Sequence, residues 1–165
     1  VYDFTQIAIP WDNVDEEFMQ KPKKWDTHSL SHFMNVLGPV SSVFDVATFA
    51  VLWFILGYHS ADQQMLFQTG WFMEGLISQT MIVHFIRTSK IPFLQSRADI
   101  RLIFSSFCGI LAALFLPFAL HSISSFHFVV MPGTYYGFLL LILLLYAVVI
   151  EAVKRIYIRK NGEWL

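Results

Sequence analysis

The chain has one cysteine, Cys108, in 165 residues, so no intrachain disulfide can staple it. That thiol sits inside a long apolar segment, where a small packing residue is the expectation rather than a reactive nucleophile. Charge is scarce as well: Asp, Glu, Lys and Arg make up 14% of the residues, against 56% hydrophobic, too apolar for an ordinary soluble domain. No basic stripe with interleaved aromatics is present, which speaks against nucleic acid as a partner. The histidines are dispersed, with no pair at a credible zinc spacing. Gly-rich phosphate loops, nucleophile elbows and paired-carboxylate hydrolase signatures are missing too, so this stretch has no machinery of its own for hydrolysing ATP. Internal repeats and low-complexity tracts are also lacking.

Four long apolar segments stand out: Phe33–Tyr58, Leu66–Ile86, Leu102–Leu120 and Tyr135–Val153. Each is close to the roughly 20 helical residues that a hydrocarbon core about 30 Å thick requires. Leu, Phe, Ile and Val run continuously in them, without the two-residue alternation of an outer-membrane strand. The expectation is an all-α integral membrane protein. If all four segments cross, all 11 Lys and Arg residues fall on one side. They form three groups: Lys21, Lys23 and Lys24; Arg87, Lys90, Arg97 and Arg101; Lys154, Arg155, Arg159 and Lys160. Cationic loops are retained in the cytoplasm, so both visible ends are expected there.

Val1–Trp11 is mostly apolar but reaches only about 16 Å as a helix, half a bilayer. It reads as the cytoplasmic half of a span that has been cut, the alternative being an interfacial segment or a disordered terminus. Pro10 and Trp11 suit a helix end and an interface anchor. The organisation expected is thus a truncated span over 1–11 and a cytoplasmic loop with an interfacial segment over 12–32. A bundle of four complete transmembrane helices over 33–153 follows, then a cytoplasmic tail over 154–165. Asp12–Lys24 passes from acidic to basic, an order that suits a short helical turn or a solvated connector. Ile91-Pro92-Phe93 forms an apolar patch between charges, fit to pack on the rim of the bundle or on a soluble domain. Gly38 offers a place for close approach by a neighbouring helix. The amphipathic tail Ile156–Leu165 suits the lipid headgroups.

Ionisable groups at mid-membrane cost about 2.5–3.5 kcal/mol on insertion scales, so each calls for a functional hypothesis. Asp3, with Thr5 and Gln6 close by, offers oxygen ligands of the kind a hard divalent cation prefers. The alternative is a carboxylate paired with a polar neighbour for packing. Glu74 shares a helix face with Ser78, four residues on. It could be a second ligand, a proton-titrating countercharge or interhelical hydrogen-bond glue. Asp45 shares a face with Ser41 and Ser42 and reads as a structural polar cluster. His84 and Arg87, at the end of the Glu74 segment, read as snorkelling anchors.

Several motifs in fixed order resemble the C-terminal transmembrane region of magnesium-transporting P-type ATPases. Tyr2-Asp3-Phe4-Thr5-Gln6-Ile7-Ala8-Ile9-Pro10-Trp11-Asp12-Asn13-Val14-Asp15 and Lys21-Pro22-Lys23-Lys24-Trp25 resemble the sixth transmembrane helix and the loop beyond it. Gly38-Pro39-Val40-Ser41-Ser42-Val43-Phe44-Asp45 is similar to the seventh helix. Phe67-Gln68-Thr69-Gly70-Trp71-Phe72, Ser78-Gln79-Thr80, His84-Phe85-Ile86-Arg87-Thr88 and Ile91-Pro92-Phe93-Leu94-Gln95-Ser96 are similar to the eighth helix and its loop. The last two segments agree mainly in hydropathy and position. The resemblance implies a pump in the plasma membrane, the inner membrane of a bacterium. Its ATP-binding and phosphorylated domains, with an Asp-Lys-Thr-Gly-Thr motif, would lie upstream as partners of this region, and Mg²⁺ would be the transported ion. It places Asp3 at the carboxylate of the sixth helix that meets the ion, and makes Glu74, in the eighth, a second metal candidate. A pump for another cation such as Ca²⁺, or a non-enzymatic membrane scaffold subunit, remains the alternative.

Overall fold

A computed structural model describes residues 1–13, 27–123, 126–162 and 164, with the backbone alone at 28 and 29. The acid-to-base loop expected beyond Asp12 lies outside the described residues. Those described form an all-helical chain in this order: α1 (Tyr2–Gln6), a 3₁₀ turn (Ile9–Trp11), α2 (Thr27–Ala50), α3 (Gln64–Ile86), α4 (Ile100–Leu120) and α5 (Gly133–Asn161). α2 continues into a π-helical turn, Val51–Ile55, and ends there, three residues short of the expected Tyr58. Pro39 is accommodated inside α2 and Pro117 inside α4.

Among the described residues, three helices are long and apolar enough to cross a membrane: Leu30–Ile55, Ile100–Leu120 and Gly133–Asn161. α3 has the length, 23 residues, but Gln64, Gln68, Thr69, Glu74, Ser78, Gln79 and Thr80 dilute its apolar character. Packing accounts for the difference. α3 touches α1, α2, α4 and α5, and its buried residues include Thr69, Gly70, Met73, Glu74, Leu76, Ile77, Ser78, Thr80 and His84. A helix enclosed by other helices meets little lipid, so its polar groups can be satisfied by protein instead of being excluded. Thr80 Oγ1, for example, donates to the Leu76 carbonyl at 2.7 Å.

Two close approaches hold this arrangement. At Gly70 a Cβ would stand 2.8 Å from Leu52 Cδ2 and 3.2 Å from the Tyr135 ring. The Tyr135 hydroxyl uses the gap to donate to the Gly70 carbonyl at 2.6 Å. At Gly109 a Cβ would collide with the Thr5 methyl, so α1 lies directly on α4 there. Gly38, the expected close contact, has open space where its Cβ would be.

At the other end of the bundle, the last turn of α3 is closed by groups from α5. Lys154 is completely buried, its ammonium donating to the carbonyls of Thr88 (3.4 Å) and Lys90 (2.8 Å) and pairing with Glu151. Trp164 Nε1 donates to the Ile86 carbonyl at 2.8 Å, and its ring packs edge-on against Phe33 and Tyr157. α5 runs on to Asn161 and stops at Gly162, whose φ of 82° is the left-handed conformation that ends helices. The described basic residues thus gather at one end, where α3 and α5 finish and α4 begins.

Candidate functional site

Glu74 sits at the centre of the bundle, 1% exposed, with its Oε2 lacking any hydrogen bond among the described residues. Across from it, on α2, Thr48 is equally buried. The Thr48 and Ser78 hydroxyls lie beside the Glu74 carboxylate, and the half-buried Asp45 is close enough to repel it. One turn before Asp45, Ser41 shares a hydrogen bond of 3.0 Å with the hydroxyl of Tyr146 on α5. Ser42 is not part of this group: it is exposed and bonds back to the Gly38 carbonyl.

The result is an oxygen-rich cluster of Asp45, Thr48, Glu74 and Ser78. Two carboxyl groups share it, and Glu74 Oε2 is without a hydrogen bond among the described residues. Unsatisfied buried oxygens are costly, on the order of 1–3 kcal/mol each, which makes them informative when a native fold retains them.

Asp3 has a different setting. It lies on the exposed side of α1 with Phe4 and Ile7, whereas Thr5 and Ala8 are buried on the opposite side. The Thr5 hydroxyl donates to the Tyr2 carbonyl at 2.7 Å, and its own carbonyl accepts from Ser105 Oγ at 2.9 Å. The Thr5 hydroxyl is therefore turned back onto its own helix, and the Thr5 carbonyl is the oxygen that meets α4. Asp3 faces a side that the described residues leave uncovered. Among the described residues no three His, Cys, Asp or Glu side chains stand together as a metal-binding group.

His84 and Arg87 are not snorkelling anchors. His84 is 5% exposed, its Nε2 hydrogen-bonded to Ser106 Oγ at 2.9 Å and its ring against Phe93. Arg87 is enclosed in a network instead of reaching for solvent. Its Nε pairs with Asp12 Oδ2, and its other nitrogens donate to Ser96 Oγ, to the Asn13 carbonyl at 2.9 Å and to the Arg97 carbonyl. Sequence alone offered one hint, an Arg directly at the end of a helix whose partner acid sits 75 residues earlier. Cys108, expected in packing, is exposed on α4.

Comparison with known proteins adds what geometry cannot. Residues 1–156 match the family described as cation transporting ATPase, C-terminus. The magnesium-transporting ATPase, P-type 1, of Salmonella typhimurium (strain LT2) is 41% identical over 165 residues, covering 99% of this chain and 18% of the relative. The protein of the same name from Escherichia coli (strain K12) is 41% identical over 162 residues, 98% of this chain and 18% of its own length. The chain thus spans less than a fifth of the curated relatives it matches.

Proposed function

The chain belongs to the family of cation-transporting ATPase C-terminal regions, and from that premise we propose that it forms the C-terminal membrane region of an ATP-driven magnesium pump. The observation that carries this reading is the 41% identity, over 99% of the chain, to a magnesium-transporting P-type ATPase. In this reading α2 to α5 are four complete crossings, the enclosed α3 among them, and α1 is the cytoplasmic half of another. The end that carries the basic residues faces the cytoplasm. ATP binding and aspartate phosphorylation belong to domains of the same polypeptide outside this region. The loop from Asp12 to Trp25 meets those domains.

Mg²⁺ is the cargo. Asp3 contributes a carboxylate to its site from the uncovered side of α1, the remaining ligands coming from helices outside this chain. Mg²⁺ gives up its hydration shell reluctantly, so few protein ligands and several retained waters suit it. Glu74 is a second acid of the transport pathway, held in the oxygen-rich cluster between α2 and α3. A pump also requires states that bind the ion differently, since energy can move an ion only through such a difference.

The test is the natural polypeptide. Isolated from native membranes, it should be several times this length, contain Asp-Lys-Thr-Gly-Thr and take up phosphate from ATP on an aspartate. A natural chain of about 165 residues that is never phosphorylated would make a membrane scaffold the better account.

A further inference from the structure

Resting on the pump reading, we propose that Asp12 and Arg87 are positioning residues for the Asp3 carboxylate: they latch α1 onto the α3–α4 hairpin, so that these helices move as one body.

Both oxygens of Asp12 are engaged. Oδ2 accepts from Arg87 Nε at the end of α3, and Oδ1 accepts from the backbone N–H of Asp99 at 2.8 Å, where α4 begins. The Asp12 and Arg87 side chains are 12% and 9% exposed, so water screens the pair little. Asp99 in turn caps α4, its carboxylate accepting from Arg101 N–H at 2.8 Å. One carboxylate therefore ties together the exit of α1, the end of α3 and the start of α4. Arg87 doubles the tie by donating to Asn13, Ser96 and Arg97 from the same guanidinium. Charge-assisted bonds of this kind are the strong ones, and a guanidinium fork fixes direction as well as distance.

The contact continues up α1 towards Asp3. Ala8 packs with Ala98 and Leu102, Arg101 lies over the Trp11 ring, and Thr5 meets Gly109 and Ser105. One side of the segment from Thr5 to Asp12 is thus fastened to α4 and the turn before it, while Asp3 projects from the other. A push on the segment beyond Asn13 cannot slide α1 along α4 without breaking the latch and lifting the Thr5 methyl from its seat at Gly109. The motion available to Asp3 is that of the whole hairpin relative to helices outside this group. The latch sets where the carboxylate stands in each state.

The same geometry supplies the test. A Cβ at Gly109 would lie 3.7 Å from Thr5 Cβ, close to the mean of about 3.8 Å for disulfides. The Thr5→Cys/Gly109→Cys pair, in the full-length pump with Cys108→Ser, should therefore cross-link on oxidation and staple α1 to α4. ATP-driven Mg²⁺ transport in proteoliposomes is compared before and after oxidation, with and without Arg87→Gln. Without the staple, Arg87→Gln should raise the half-saturating Mg²⁺ about tenfold, the effect of one charge-assisted hydrogen bond lost from one state. Arg87→Lys, which keeps the charge but not the fork, should lie near Arg87→Gln. Oxidation should leave the stapled pump with Arg87 intact transporting at a rate within about threefold of the reduced form. In the Arg87→Gln background it should restore the lost magnesium affinity, a rescue that a merely structural role would not show. Transport blocked by oxidation and recovered on reduction would show that α1 must leave α4, and would overturn the inference. So would a staple that fails to form, or one that fails to rescue Arg87→Gln. Absence of ATP-driven magnesium transport in the unmodified pump would instead fail the pump reading itself.

Discussion

Asp3→Asn in the full-length pump is expected to raise the half-saturating Mg²⁺ for transport by about 10- to 100-fold. The substitution keeps the shape of the side chain and removes its charge, so it isolates the electrostatic contribution. A hydrogen bond or ion contact to a charged group is worth about 1.5–3 kcal/mol, and 1.4 kcal/mol corresponds to a factor of ten. The fold should scarcely notice: Asp3 is exposed and on the side of α1 away from its contacts with α4. Stability changes at such positions are usually within about 0.5 kcal/mol. Thermal unfolding and transport measured on the same preparation would check both halves. Full transport with unchanged magnesium dependence in Asp3→Asn would remove Asp3 from the ion site.

Glu74→Met should do something less usual, stabilising the protein while impairing it. The Glu74 carboxylate is buried, faces a second carboxylate at Asp45 and leaves Oε2 without a hydrogen bond. Met has a similar length and no polar atom to desolvate. Removing an unsatisfied buried oxygen should return about 1–3 kcal/mol, read as a raised Tm of the detergent-purified pump. If Glu74 belongs to the transport pathway, its loss should also lower magnesium affinity by about tenfold. Functional sites that retain costly polar groups show this trade of stability against activity. A lowered Tm for Glu74→Met, with magnesium dependence unchanged, would make Glu74 interhelical hydrogen-bond glue instead. Glu74→Gln separates charge from shape: it should share the transport defect.

The apolar helices were legible because their signal is additive. Leu30–Ile55, Ile100–Leu120 and Gly133–Asn161 announce themselves through long runs of Leu, Ile, Phe and Val. α3 is at the margin for a physical reason, since a helix enclosed by its neighbours has no need of an all-apolar surface. Glu74 was visible as a lone acid in an apolar setting. Its surroundings were not, because Asp45 and Thr48 come from a helix whose rotation no single segment specifies. Close packing was misplaced for the same reason: Gly38 looked like a contact, yet the contacts fall at Gly70 and Gly109, where Tyr135 and Thr5 arrive from distant segments. Arg87 shows the limit most clearly. At the end of an apolar helix, a solvent-seeking arginine is the ordinary expectation. Only the return of the chain through Ser96 and Asp99, with Asp12 brought beside them, turns it into the centre of a network.

Whether this membrane region belongs to a pump that moves magnesium is read from transport itself. The full-length protein in sealed proteoliposomes, given ATP, should change the lumenal free Mg²⁺ concentration. Ca²⁺ at equal concentration should neither be moved nor slow that change appreciably. Transport of Ca²⁺ in place of Mg²⁺, or no ATP-driven movement of Mg²⁺ by protein that still binds ATP, would contradict it.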